Sequence, residues 1–412
     1  MIDLAQLREK PQLISDLILR KEPTFPIDKL LQADAHARSL RTVVENLRKE
    51  KNALAALGPK SNTPENREKS IELGKQLKTQ EVALEEAEKS LQTLWLSCPN
   101  VPNPDLPIGN KEANKAVKVV GSKPIFAHTI KNHLELNEHA RWFDLETAVT
   151  MAGSGFVFYT TMGTKVIYAL TRLLLRNNVS FGFQPVLPPY VITEKGLYNS
   201  SNLPKFAGDY YKIEGEDLNL IPTAEVSLTN VYAGKILSAD QLPLRMTAWT
   251  SCFRREAGTY GSTERGLIRI HQFEKVELYS ICDPEKSYTE LEHMVGCAES
   301  LLQQLGLHYR VSLLATQDCS FASAKTFDIE VWLPGQDRYY EVSSCSNCTD
   351  FQARRAHIRY RKSDAKPALA HTLNSSSLAL PRLMVALMEN GQQPDGSIVL
   401  PPVLQQEINA LW

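Results

Sequence analysis

Two stretches near the N-terminus repeat apolar residues in alternating steps of three and four, a pattern that fits packed helices and little else. Leu30, Ala33, Ala37, Leu40, Val44, Leu47, Lys51 and Leu54 advance in this way, as do Leu73, Leu77, Gln80, Leu84, Ala87, Leu91 and Leu94. The alternation keeps one narrow stripe on one side of a slightly under-wound helix, which is a coiled-coil seam. Between the two stretches, Gly58-Pro59-Lys60-Ser61-Asn62 breaks the helix and reverses the chain. Thr63 then offers a hydroxyl N-cap, and Pro64 takes the first helical position, where a missing N–H costs nothing. A loop this short makes the helices antiparallel. The resulting arm, about 27–97, is roughly 45 Å long at about 1.5 Å per residue.

Charge is uneven along this arm. Positions 38–78 carry ten Lys/Arg against five Glu, a balance of +5, whereas the charged residues at 28–34 and 81–89 sum to −4. A rod basic at its far end can attract phosphate; the same pattern also fits a dimerisation or spacer coiled coil with solvated faces. The formal net charge of the whole chain is −1, so any nucleic-acid surface is local. The Pro/Asn-rich Cys98–Pro104 stretch marks the boundary between an N-terminal domain, 1–104, and a second domain, 105–412. In that second part, strand-like runs at 181–187, 269–279, 326–333 and 339–343 mix with helical patterns at 164–175 and 287–306, without regular βαβ alternation. The fold class is therefore α+β, with a mixed, mostly antiparallel sheet flanked by helices behind the coiled-coil arm.

The chain shows no signal-peptide h-region and no run of 18 apolar residues, which predicts no membrane association. Its seven cysteines are odd in number and scattered, as expected for reduced thiols in a cytoplasmic protein. Cys345-x-x-Cys348 lacks a second ligand pair to complete a zinc site and reads as structural thiols. Gly153-Ser154-Gly155-Phe156 is neither a Walker A loop nor a complete GxGxxG, so no phosphate-cradling glycine loop is present.

The segment Cys252-Phe253-Arg254-Arg255-Glu256-Ala257-Gly258, followed by Gly266–Glu277, describes a long hairpin. Alternation over 268–277 puts Arg269, His271, Phe273, Lys275 and Glu277 on one face. A guanidinium, carboxylates and a ring stand there in place of apolar side chains, as a nucleotide site on a sheet surface requires.

This hairpin resembles motif 2 of the class II aminoacyl-tRNA synthetases, in the form found in seryl-tRNA synthetases. Further matches follow in the family's order. Thr223-Ala224-Glu225 resembles its serine-binding segment, and 328–332 with 341–355 resemble its ATP- and metal-binding strands. Leu373-Asn374 with Pro381-Arg382 resembles motif 3, and 164–189 resembles motif 1, the family's dimer interface. The arm is similar to the family's coiled coil that holds the long variable arm of tRNA-Ser.

The resemblance implies a homodimeric serine–tRNA ligase that joins L-serine and ATP into seryl-adenylate and then esterifies tRNA-Ser, with tRNA-Sec as a second candidate acceptor. It implies Arg254, Glu341 and Arg382 as the catalytic set, with Arg254 on the α-phosphate and Arg382 on the γ-phosphate. Glu256 would read the adenine amino edge and Phe273 would stack on the ring; Arg255, Ile270, Val342, Ser343 and Ser344 complete the implied ATP positions. Glu341 and Ser344 would hold Mg²⁺, for which hard oxygen ligands are suited. Thr223, Ala224, Glu225, Arg254, Glu277, Asn374 and Ser376 would surround serine.

Two departures stand out. Ser375, Ser377 and Pro381 stand where motif 3 usually has glycine: side chains at 375 and 377 would crowd the serine pocket or line it, and Pro381 would break the motif 3 helix unless it falls in the first turn. The loop Gly261-Ser262-Thr263-Glu264-Arg265 lacks the family's usual arginine and aspartate before its last arginine. The competing expectation is a catalytically altered paralogue that binds tRNA or nucleotide without charging.

Overall fold

The computed structural model describes residues 1–57, 63–256, 266–363 and 365–412. The breaker at 58–62, the hairpin loop at 261–265 and the Ala257-Gly258 pair lie outside the described residues. The chain divides into two compact units, Met1–Pro99 and Asn100–Trp412.

The first unit holds helices Leu4–Glu9, Pro11–Lys21, Ile27–Ala56 and Pro64–Ser97. Every seam residue named above is buried or half-buried, while Val43, Ile71 and Val82, off the seam, are exposed. Ion pairs cross between the long helices from Arg41 to Glu88 at 2.5 Å, Arg48 to Glu81 at 2.7 Å and Glu50 to Lys69 at 3.0 Å. Partners climb one helix as they descend the other, so the pair is antiparallel; as exposed pairs they fix direction more than stability. Thr63 caps the second long helix by accepting from Asn66 N at 3.2 Å, with Pro64 in its first turn.

The second unit is built on an eight-stranded sheet. Its order is Lys115–Val120, Tyr309–Leu313, Lys325–Leu333, Arg338–Asn347, His371–Ala379, Gln272–Cys282, Leu244–Phe253 and Gln184–Pro185. All neighbours pair antiparallel except the last two, which are parallel. Helices Thr161–Ser180, Ser287–Gln304 and Leu380–Asn390 cover one face. Against it Val276, Leu278, Ile329, Val331, Cys345 and Leu373 join the main core. The other face carries polar side chains around Lys275 and Glu277 and, farther along the same strands, a second core that includes Met246, Ala248, Tyr279 and Ile281.

Two irregularities set what that polar face presents. Opposite Lys325–Leu333, the register passes from Glu330↔Glu341 to Ile329↔Ser343, which leaves Val342 as an extra residue, a β-bulge. Opposite Gln272–Cys282, Ser376 pairs with Glu277 but Ala379 with Lys275, and Leu378 within this second bulge has φ 68°. The strand expected at 181–187 is reduced to Gln184–Pro185, because the preceding helix runs on to Ser180 and 181–183 turn the chain. The strand expected from 269 begins at Gln272; His271 N instead donates to Gly155 O at 2.7 Å, outside the ladder.

Candidate active site

A cleft of about 380 Å³ opens on the polar face of the sheet. Period-2 alternation on Gln272–Cys282 points Phe273, Lys275 and Glu277 into it. His371–Ala379 contributes Asn374 and Ser376, and the following helix contributes Pro381 and Arg382. Glu341 and Ser344, three residues apart, would lie on opposite faces of a regular strand. The bulge at Val342 brings both to the cleft. Thr223 and Glu225 enter from the N-terminus of helix Ala224–Asn230, where Thr223 is the N-cap and accepts from Glu225 N at 3.2 Å.

One end of the cleft is acidic. Lys275 Nζ lies 2.5 Å from Glu277 Oε2 and donates to Thr223 Oγ1 at 2.7 Å; Thr223 Oγ1 donates to Glu277 Oε2 at 3.2 Å. Glu225 Oε1 accepts from Gln352 Nε2 at 2.6 Å and from Asn374 Nδ2 at 3.2 Å. Burial, with the nearby Glu277 charge adding to it, pushes the Glu225 carboxyl up to about 7. Burial raises Glu277 too, against the opposing pull of Lys275. When both carboxyls are ionised, they outnumber the one lysine they face and match an ammonium group.

The cleft also carries guanidinium groups, of which Arg254 is near enough to Glu225 and Glu277 to favour their ionised forms. Arg254 lies 5.1 Å over the Phe273 ring and donates from Nε to Pro222 O at 3.2 Å. Arg382 Nη1 donates to Glu341 Oε2 at 3.0 Å and to Glu341 O at 3.1 Å. Glu256, at φ 50°, pairs with Arg269 at 2.6 Å. Opposite Ser344 in the ladder, burial and the Glu341 charge hold the Asp328 carboxyl well above the usual range, and its Oδ1 is buried without a partner.

The cleft thus brings together Thr223, Glu225, Arg254, Glu256, Ile270, Phe273, Glu277, Glu341, Ser344, Asn374, Ser376 and Arg382. Four expected site residues do not line it. Ala224 is buried in a second core cluster beneath its helix, and Arg255 is exposed, its backbone N–H donating to Asp209 O at 3.0 Å. Val342, the bulge residue, packs in the main core. Ser343 is buried on the core face, where its hydroxyl meets Ser375 and donates to Ser376 O.

The motif 3 serines do not crowd the cleft. Ser375 and Ser377 are fully buried on the core face: Ser375 Oγ lies 2.9 Å from Cys345 Sγ, and Ser377 Oγ donates to Asn178 Oδ1 at 2.8 Å. Pro381 falls in the first turn of helix Leu380–Asn390 and removes no helical hydrogen bond. Cys345 and Cys348 are buried and form no disulfide, Cys348 Sγ accepting from Asn374 Nδ2 at 3.4 Å.

Some lining residues had no role assigned from the sequence. Alternation already put Lys275 and Arg269 on this face. Leu267 and Ile268 sit in a 3₁₀ turn that no periodicity announces, and Ser320 arrives from a distant loop.

The chain is similar to known proteins over nearly its whole length. Residues 1–102 match the seryl-tRNA synthetase N-terminal domain, and 210–391 match the class II tRNA synthetase core domain (G, H, P, S and T). The serine–tRNA ligase of Dehalococcoides mccartyi is 42% identical over 98% of both chains. The crystal structure of seryl-tRNA synthetase from Pyrococcus horikoshii complexed with ATP superposes with TM-score 0.94 at 34% identity, covering 99% of this chain and 98% of that one. The cytoplasmic serine–tRNA ligase of Naegleria fowleri in complex with AMP gives 0.85 at 26% identity, covering 97% and 94%.

Proposed function

The chain belongs to the seryl-tRNA synthetase family, class II ATP-dependent ligases, and on that premise we propose how its cleft activates L-serine and charges tRNA-Ser. The observation that carries the reading is the union, in one cleft, of an acidic cluster (Glu225 and Glu277, with Thr223 and Asn374) and two guanidinium groups (Arg254, Arg382). Serine lies with its ammonium toward Glu225 and its hydroxyl toward Glu277, Thr223 and Ser376. Alanine would leave those buried groups unpaired and is rejected for that reason.

The serine carboxylate oxygen attacks the α-phosphorus of ATP, a P–O bond to pyrophosphate breaks, and seryl-adenylate forms. A terminal ribose hydroxyl of tRNA then attacks the carbonyl carbon, and AMP leaves. No protein nucleophile is needed; the residues supply alignment and charge neutralisation. Arg254 holds the α-phosphate and the serine carboxylate, Arg382 the γ-phosphate, and Phe273 stacks on adenine against Ile270, with Glu256 at the amino edge.

Glu341 and Ser344 suit Mg²⁺: they share a face through the bulge, beside the buried Asp328 Oδ1. No group of three or more His, Cys, Asp or Glu side chains that could hold a metal occurs among the described residues. A two-ligand site fits a cation that takes its other ligands from water and phosphate. When bound, Mg²⁺ would neutralise phosphate charge.

The basic stretch of the arm supports a grip on tRNA-Ser, and tRNA-Sec remains a second acceptor to assay. Exposed Tyr168, Val179, Val186 and Leu187, along 164–189, support a homodimer through this segment. Seven buried cysteines outside any disulfide support a reducing cytoplasmic setting; no described helix is long and apolar enough to cross a membrane. The retained arginines and carboxylates favour catalysis over a non-charging paralogue. Serine-dependent ATP–pyrophosphate exchange is the test: exchange at saturating serine is expected, and none would overturn the reading.

A further inference from the structure

Gly266 opens the 3₁₀ turn Gly266–Ile268 that leads into the Leu267–Ile270 wall of the nucleotide end of the cleft. Its φ is +69°, and a Cβ on it would stand 2.2 Å from His133 Nε2 and 2.9 Å from Leu134 Cδ2. The imidazole edge therefore abuts the backbone from which the wall begins.

His133 is held where it stands. It is 3% exposed, and its Nε2 is buried with no hydrogen-bond partner. Its Nδ1 lies 3.2 Å from Glu389 Oε1, which also accepts from His133 N at 3.1 Å and Gln336 Nε2 at 3.2 Å. Glu389 Oε2 accepts from Gly335 N at 3.0 Å. Gly335 is packed so closely that a Cβ would meet Lys131 O at 2.5 Å. The fully buried Glu389 carboxylate thus ties the start of helix His133–Ala140 to the turn joining two central strands. Glu389 and Arg382 ride on one helix, Leu380–Asn390, and Arg382 Nε reaches Ile268 O at 3.4 Å on the same wall.

We propose that His133, braced by Glu389, is a positioning residue for the nucleotide: its ring edge fixes where Gly266 stands and hence where Leu267–Ile270 meet the base. A buried side chain with one ring nitrogen bonded and the other bare against a glycine serves as a spacer, since a hydrogen bond at Nε2 is not what it supplies. The inference rests on the ATP-activating reading above and adds a residue outside the cleft to it.

The test is exchange kinetics, with ATP and serine varied separately, on the wild-type chain, His133→Asn and Gly266→Ala. Asn can keep an N–H toward Glu389 while removing the outer ring edge. His133→Asn is expected to raise the KM for ATP about tenfold while leaving the KM for serine within about twofold. Gly266→Ala is expected to move ATP in the same direction and further, having both the φ and the contact against it. In Gly266→Ala/His133→Ala, removing the ring should recover part of the loss. Equal KM shifts for both substrates, or a lowered Tm with unchanged KM for ATP, would mark His133 as merely structural and overturn the proposal. Should a single variant fail to fold, partial recovery in the double variant decides for the spacer, and its absence against it. A wild-type chain with no exchange would instead sink the activity reading itself.

Discussion

Lys275 Nζ lies 2.5 Å from Glu277 Oε2 on the cleft face of one strand, both side chains nearly inaccessible. Removing one partner of such a pair strands a buried charge, at about 3–5 kcal/mol. Lys275→Met should make Glu277 and Glu225 take up protons and lose their attraction for an ammonium. The expected result is a fall of about 10²-fold in kcat/KM for serine, with the KM for ATP changed by under about threefold. Exchange rates with each substrate varied in turn check this; equal effects on both would refute it.

Serine binding should be linked to a proton near neutral pH. Glu225 is raised from its ordinary 4.5 to about 7. Between those values the folded chain holds a proton that the unfolded chain has lost. This group's contribution to stability therefore falls as pH rises from 4.5 to about 7 and levels off above. An ammonium needs the ionised form, so serine should bind more tightly as pH rises toward and past 7, with proton release on binding. Calorimetric titration of serine in two buffers of different ionisation enthalpy measures that proton; none released near pH 7 would exclude Glu225 as the counter-ion. Glu225→Gln should bind more weakly and lose this pH dependence.

Glu341→Gln keeps the size of the side chain and removes its charge. Exchange by this variant should need about tenfold more Mg²⁺ for half-maximal rate, because a carboxylate is a far better ligand for a hard cation than an amide. A Mg²⁺ titration superposing on that of the wild-type chain would remove Glu341 from the proposed metal site.

The arm can be separated from the chemistry. Replacing 35–90 with a short Gly/Ser linker removes most of the antiparallel pair Ile27–Ala56 and Pro64–Ser97. Serine-dependent exchange should stay within about threefold, while charging of tRNA-Ser should drop by at least about 10²-fold, since phosphate contacts dominate such binding. Charging at the normal rate would refute the grip on tRNA.

Legibility from sequence followed the regularity of the backbone. The seam from Leu30 to Leu94 was plain because helical period and heptad agree along its whole length. Phe273, Lys275 and Glu277 were placed by strand alternation. Where the backbone departs from regularity, alternation misleads. It put His271 in the cleft and Ile270 outside it. The chain there follows a 3₁₀ turn and His271 bonds to Gly155 O, which leaves Ile270 in the cleft and His271 against Phe156 and Tyr211. Glu341 and Ser344 came from the family resemblance alone; the bulge at Val342 that lets them share a face leaves no local mark in the residues. The Glu389–His133 tie, 256 residues apart in the chain, was beyond any pattern.

Strand alternation also decides what the unusual motif 3 serines do. Ser376 faces the cleft; Ser375 and Ser377 face the core, Ser377 bonded to Asn178 and Ser375 against Cys345. Ser377→Gly should therefore leave the KM for serine within about twofold. It should cost about 1 kcal/mol from the lost hydrogen bond, and somewhat more from leaving Asn178 Oδ1, which Cys297 Sγ also approaches at 3.4 Å, with one fewer donor. Ser377→Val adds bulk to a close-packed seam and should cost more, about 1–3 kcal/mol. Denaturant unfolding and exchange kinetics on the same variants separate the two quantities. A KM for serine that rose tenfold in Ser377→Gly at unchanged stability would mean that this residue acts on the pocket, and the assignment of its side chain to the core face would be wrong.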